Sequence, residues 1–87
     1  MPPHQYSLLQ MTILASLPRV DGEGQGDYQT AQGLKLALDA HPLVKQASLR
    51  SLRAHLGILA RTGACVCLRS YHGRKTTRII GYAVKRP

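Results

Sequence analysis

Two cysteines one residue apart, Cys65-Val66-Cys67, are the side chains in this sequence best suited to reactive chemistry. On a strand they share a face, where a pair of thiolates suits a soft metal ion. A closed zinc site takes four ligands, and neither His55 nor His72 falls at a spacing that completes one. The same alternation makes a strain-free disulfide between the two difficult. Packing is their expected role, and no metal is expected. His4, His41, His55 and His72 share no motif. The acids Asp21, Glu23, Asp27 and Asp39 do not form the carboxylate cluster that metal-assisted hydrolysis needs. No Ser, His and acid fall into a nucleophile motif, and nothing supports a Cys–His pair. Residues 20–27 read Val-Asp-Gly-Glu-Gly-Gln-Gly-Asp, but no Gly-Lys-Ser/Thr follows and the loop is acidic, which argues against phosphate binding. No catalytic residue, cofactor or enzymatic activity is therefore expected.

The basic residues are distributed differently. Twelve Lys and Arg oppose four Asp and Glu, for a net charge of +8 over 87 residues. All four acids lie in the first 39 residues; from Ala40 onward there are ten basic residues and no acid. A surface charged only for solubility mixes the signs. A one-sided half produces a positive field suited to a polyanion.

The elements that must position these side chains follow from periodicity. The length allows one domain with one core, and a second copy would be a natural source of added stability. Residues 5–17 are expected to form helix 1, with Leu8, Leu9, Thr12 and Ile13 at helical spacing, Ser7 as its cap and Pro18 as its stop. Residues 18–29 read as a flexible acidic Gly-rich linker. Residues 30–40 are expected to form helix 2, with Leu34, Leu36, Ala37 and Leu38 apolar, ended by His41-Pro42. Residues 48–61 give the clearest helix, since Leu49, Leu52, Leu56 and Leu59 make one stripe. Ser48 is placed to cap it and Gly63 to end it. Its opposite face carries Arg50, Ser51, Ala54, Gly57, Ile58 and Arg61, with Ile58 as an exposed apolar group. Residues 64–84 alternate and turn at His72-Gly73-Arg74-Lys75, which predicts a hairpin with Val66, Leu68 and Ile79 on its core face. A short extra strand between helices 1 and 2 is compatible with this hairpin.

The expected fold is therefore α+β, mainly α: a single winged helix-turn-helix domain of three helices followed by a two-stranded wing. The segment Ser51-Leu52-Arg53-Ala54-His55-Leu56-Gly57-Ile58-Leu59-Ala60-Arg61-Thr62-Gly63 resembles the recognition-helix region of winged helix regulators of the ArsR and MarR type. The resemblance extends over residues 46–84. It implies that Arg50, Ser51 and Ala54 face DNA, and that the hairpin tip at 72–75 enters the minor groove or lies on phosphates. The Cys-Val-Cys of ArsR-type metal sites belongs at the recognition helix, whereas here it falls on the first wing strand, so that site does not carry over.

Together these readings predict a duplex-DNA-binding transcriptional regulator with its recognition helix in the major groove. The expected contact residues are Ser48, Arg50, Ser51, Arg53, Ala54, Arg61, Arg69, His72, Arg74, Lys75, Thr76 and Arg78. Arg50 and Ser51 are placed on bases and Arg53 at the phosphate rim. Two alternatives stay open. One is a winged helix assembly module in a replication, partition or other nucleic-acid complex, with a protein partner at Ile58 or the wing. The other is an RNA-binding winged helix, although the scarcity of aromatics near the wing argues against single-strand stacking. A homodimer is compatible with the size of the chain. No run of 18 apolar residues spans a membrane, and the first residues lack the pattern of a signal peptide. A cytoplasmic protein is expected, associated with the nucleoid if the source is bacterial.

Overall fold

The computed structural model describes residues 6–72 and 75–86, with the side chains of 70–72 and 75–78 outside that description. Among the described residues the chain is an α+β domain of four helices and a three-stranded mixed sheet. The order is α1 (Leu8–Ser16), β1 (Arg19–Val20), α2 (Ala31–Ala37), α3 (Pro42–Gln46), α4 (Leu49–Arg61), β2 (Val66–His72) and β3 (Lys75–Lys85). No helix among these is long and apolar enough to cross a membrane.

Each helix begins where a side chain can satisfy its orphan amides. The Ser7 hydroxyl accepts from the Gln10 amide at 3.1 Å while the Gln10 side chain accepts from the Ser7 amide at 3.0 Å, a capping box. Thr30 caps α2 through the Gly33 amide at 2.9 Å, so the helix begins one residue later than expected and ends at Ala37 rather than Ala40. Leu36 then points outward at 77% exposure, while Leu34 is buried.

The fourth helix, α3, corrects the expected count of three. The expected stop at Pro42 comes too late, since α2 already ends at Ala37; Pro42 instead opens α3 at its first position, where its missing N–H costs nothing. Val44 anchors this short helix with no exposed surface. The Lys35 ammonium donates to the carbonyls of Ala47 and, at 3.5 Å, Val44. These bonds tie the end of α3, and so the approach to α4, back to α2.

The sheet has three strands rather than two, in the order β1-β3-β2. Arg19 and Val20 pair in parallel with Val84 and Lys85. Two residues before Val84 on β3, Gln29 bridges Tyr82 in the antiparallel sense, with bonds of 2.9 and 2.8 Å. The chain therefore reverses between Val20 and Gln29. That segment is more than a linker: the Asp21 carboxylate accepts from the amides of Glu23 at 2.9 Å and Gln25 at 2.8 Å, which organises a turn.

The hairpin packs on the face opposite to the one expected. Cys65 and Tyr82 are buried and Cys67 packs against the core, whereas Leu68 and Ile79 are 41% and 38% exposed. Paired residues share a side of the sheet, and Cys67 pairs with Tyr82. That side meets the Leu52, Leu56 and Leu59 stripe of α4, with Ile13, Leu17, Leu34 and Val44 completing one core.

Candidate nucleic-acid interface

The candidate site is built on α4, whose stripe of leucines is fully buried and therefore fixes which side faces out. The Ser48 hydroxyl accepts from the Ser51 amide at 3.0 Å, so Ser48 acts first as the N-cap. At the other end the Ala64 amide donates to the Leu59 carbonyl at 2.9 Å and the Gly63 amide to Ala60 at 3.3 Å. Gly63 has φ +82°, the left-handed geometry that closes a helix in this pattern. Both ends of α4 are thus held by local bonds.

Arg50, Arg53, Ala54 and Arg61 are exposed on this helix, and Ser51 and Gly57 are half-buried. Arg50, Ala54, Gly57 and Arg61 follow one another at helical spacing, so they form a row on the side away from the leucines. Ile58 is half-buried rather than exposed as expected.

Burial raises the Tyr82 hydroxyl above its ordinary range, with Cys67 and Cys65 adding to the rise. The charges of Arg69 on β2 and Arg53 on α4 oppose the rise. Arg53 and Arg69 are both exposed, whereas Tyr82 is buried. Tyr82 had no signal in sequence beyond being one of four tyrosines, because its neighbours come from three separate elements.

Of the expected hairpin contacts, Gly73 and Arg74 lie outside the described residues, as do the side chains of His72, Lys75, Thr76 and Arg78. The backbone carries the hairpin pairing as far as His72 opposite Lys75. Register shifts lie between Leu68 and Arg69 and between Ser70 and His72. Such irregularities twist a strand pair and re-aim its far end.

His55, also on α4, is turned toward α1, where its Nδ1 lies 3.1 Å from the Gln10 amide nitrogen. The Gln10 oxygen is already committed to the Ser7 amide, so the nitrogen is the donor and His55 Nδ1 the acceptor. This half-buried bond joins the capping box of α1 to the flank of α4.

The cysteines face inward. Cys65 donates to the Leu56 carbonyl at 3.9 Å, and burial, followed by the neighbouring Cys67, pushes its thiol up to about 11 from an ordinary 9.0. A thiol so placed is held neutral and is a poor nucleophile. Among the described residues no three His, Cys, Asp or Glu side chains are grouped to hold a metal ion.

No protein family, characterised protein or solved structure matches this chain.

Proposed function

We propose that the chain is a winged helix domain that binds double-stranded DNA, with α4 in the major groove and the β2–β3 hairpin as a wing on the backbone or minor groove. The observation that carries this is the absence of acids from α4 and the hairpin strands, with Arg50, Arg53 and Arg61 exposed on the helix and Arg69 exposed on β2. An exposed helix without a specialised partner mixes Glu with Arg, and α4 has no acid at all. A 13-residue helix capped at both ends and buried along one stripe also has the rigidity that groove recognition requires. The order helix, strand, helix, helix, helix, hairpin is compatible with a winged helix in which α3 occupies the turn before the recognition helix. A small transcriptional regulator is the role we assign.

The test is a titration of Arg50→Ala and Arg74→Ala against a selected duplex and a scrambled one at several salt concentrations. Loss of a phosphate contact at Arg74 should weaken both duplexes together and reduce the salt slope by about one counterion. Loss of a base contact at Arg50 should cost about 1–3 kcal/mol, mainly on the selected duplex. Unchanged duplex binding in both variants, with a protein complex broken by Ile58→Asp, would instead identify an assembly module.

A further inference from the structure

Gln10 on α1 has a buried amide side chain, 8% exposed, that makes two bonds at once. Its oxygen accepts from the Ser7 amide at 3.0 Å and closes the capping box of α1. Its nitrogen lies 3.1 Å from Nδ1 of the half-buried His55 on α4. A primary amide has an acceptor end and a donor end, so the two bonds constrain each other. While the oxygen serves Ser7, the nitrogen can meet only a neutral His55 with no proton on Nδ1.

Protonation of His55 reverses that requirement. An imidazolium donates from both ring nitrogens, so Nδ1–H would face the Gln10 N–H. A half turn of the Gln10 amide about its last side-chain bond presents the oxygen to Nδ1–H instead. The same half turn takes the oxygen away from the Ser7 amide. His55 wins this competition on two grounds. A bond from a charged donor is stronger than one from a backbone amide, and a charge left without an acceptor away from water is costly. Ser7 is exposed, so water can serve its amide. The groups around the pair offer His55 no other acceptor charge. On α1, Leu8–Ser16 has no ionisable side chain, and Tyr6 just before it is bonded to Thr62 at 3.2 Å. On α2, Lys35 is bonded to the carbonyls of Ala47 and Val44. The charged residues of α4 are Arg50, Arg53 and Arg61, all exposed, and burial holds Cys65 and Tyr82 of the hairpin neutral.

We propose that His55 and Gln10 form a pH-operated switch: neutral His55 keeps the capping box of α1 closed, and protonated His55 takes the Gln10 oxygen and opens it. Histidine is the side chain that changes charge between about pH 5 and pH 8. The bond from the Gln10 amide to the Ser7 hydroxyl and the contact between Tyr6 and Thr62 persist in both states, so the change is confined to one bond at the start of α1. The switch is independent of what α4 binds.

The experiment is a nuclear magnetic resonance titration of the free, nitrogen-15-labelled chain from about pH 8 to about pH 5. It is run on wild type, Gln10→Glu, His55→Ala and His4→Ala. In wild type at the upper end, the His55 ring should carry its proton on Nε2 alone. On acidification the His55 ring, the Gln10 side-chain amide and the Ser7 backbone amide should shift with one midpoint. Glutamate has two acceptor oxygens, one for the Ser7 amide and one for Nδ1–H. In Gln10→Glu the Ser7 response should therefore shrink several-fold while His55 still titrates. His55→Ala should abolish the response at Ser7 and Gln10. His4 stands three residues before Ser7 and outside the described residues, and His4→Ala should leave the response intact. A proton on His55 Nδ1 at about pH 8 would overturn the proposal. So would a Ser7 amide that stays still while His55 titrates, or one that responds in Gln10→Glu or His55→Ala as in wild type.

Discussion

Cys65 offers a perturbation whose size can be worked from the structure. Its side chain is 3% exposed, its thiol donates to the Leu56 carbonyl, and burial raises its pKa from 9.0 to about 11. The folded chain therefore keeps this proton over a pH range in which the unfolded chain releases it. The sign follows: the stability Cys65 contributes is complete below pH 9.0, falls as pH rises toward about 11, and is constant above that. A rise of that size corresponds to about 3 kcal/mol, a large part of the roughly 4–13 kcal/mol expected for a chain this long. Lysines and tyrosines titrate in the same range, so the quantity to measure is the difference between wild type and Cys65→Ala. Urea unfolding of both proteins from about pH 8 to about pH 11.5 gives that difference directly. The stability advantage of wild type should shrink across this range by an amount approaching about 3 kcal/mol. A difference that does not change with pH would refute the buried, neutral thiol and with it the inward face assigned to β2.

Other side chains give equally specific expectations. Ser48→Ala removes the N-cap of α4 and should cost about 1 kcal/mol, lowering the melting temperature by about 4–8 °C in a calorimetric scan. Gly81→Ala would press a methyl group against Tyr28 and the Gln29 carbonyl, at 2.9 and 3.2 Å, and should destabilise by about 1–3 kcal/mol in urea. Leu56→Ala, at the centre of the core, should cost about 2–5 kcal/mol by the same assay. A double-mutant cycle of Gln10→Ala and His55→Ala should show coupling of about 0.5–1.5 kcal/mol, and strict additivity would mean the bond between α1 and α4 contributes nothing.

What could be read without the structure was local. Ser7, Ser48 and Gly63 signal helix ends through bonds within a few residues, and the α4 leucines repeat often enough to define a face. The hairpin was legible as a hairpin but not in its orientation. Alternation yields two faces, and Val66, Leu68 and Ile79 looked the more apolar; the choice was made by Cys65, Cys67 and Tyr82, which fit against α4. The helix α3 escaped because it has five residues and opens with a proline that reads in sequence as a helix stop. The parallel pairing of Arg19 and Val20 depends on residues more than sixty positions away, and two residues carry no period. In the candidate site the arginines of α4 were evident from charge and spacing. The packing of Tyr82 beside Cys67 and the α4 leucines needed the tertiary fold.

The account rests on α4 and the hairpin forming one surface for duplex DNA. The most direct measurement is a nuclear magnetic resonance titration of the isotopically labelled chain with a short DNA duplex, followed residue by residue. The amides of Arg50, Arg53, Ala54, Gly57 and Arg61 should shift most, together with those of Arg69 and the hairpin, while α1 and the acidic segment 21–27 should change little. Saturable binding with shifts concentrated on α1 or on 21–27, or no shift anywhere at low salt, would contradict it.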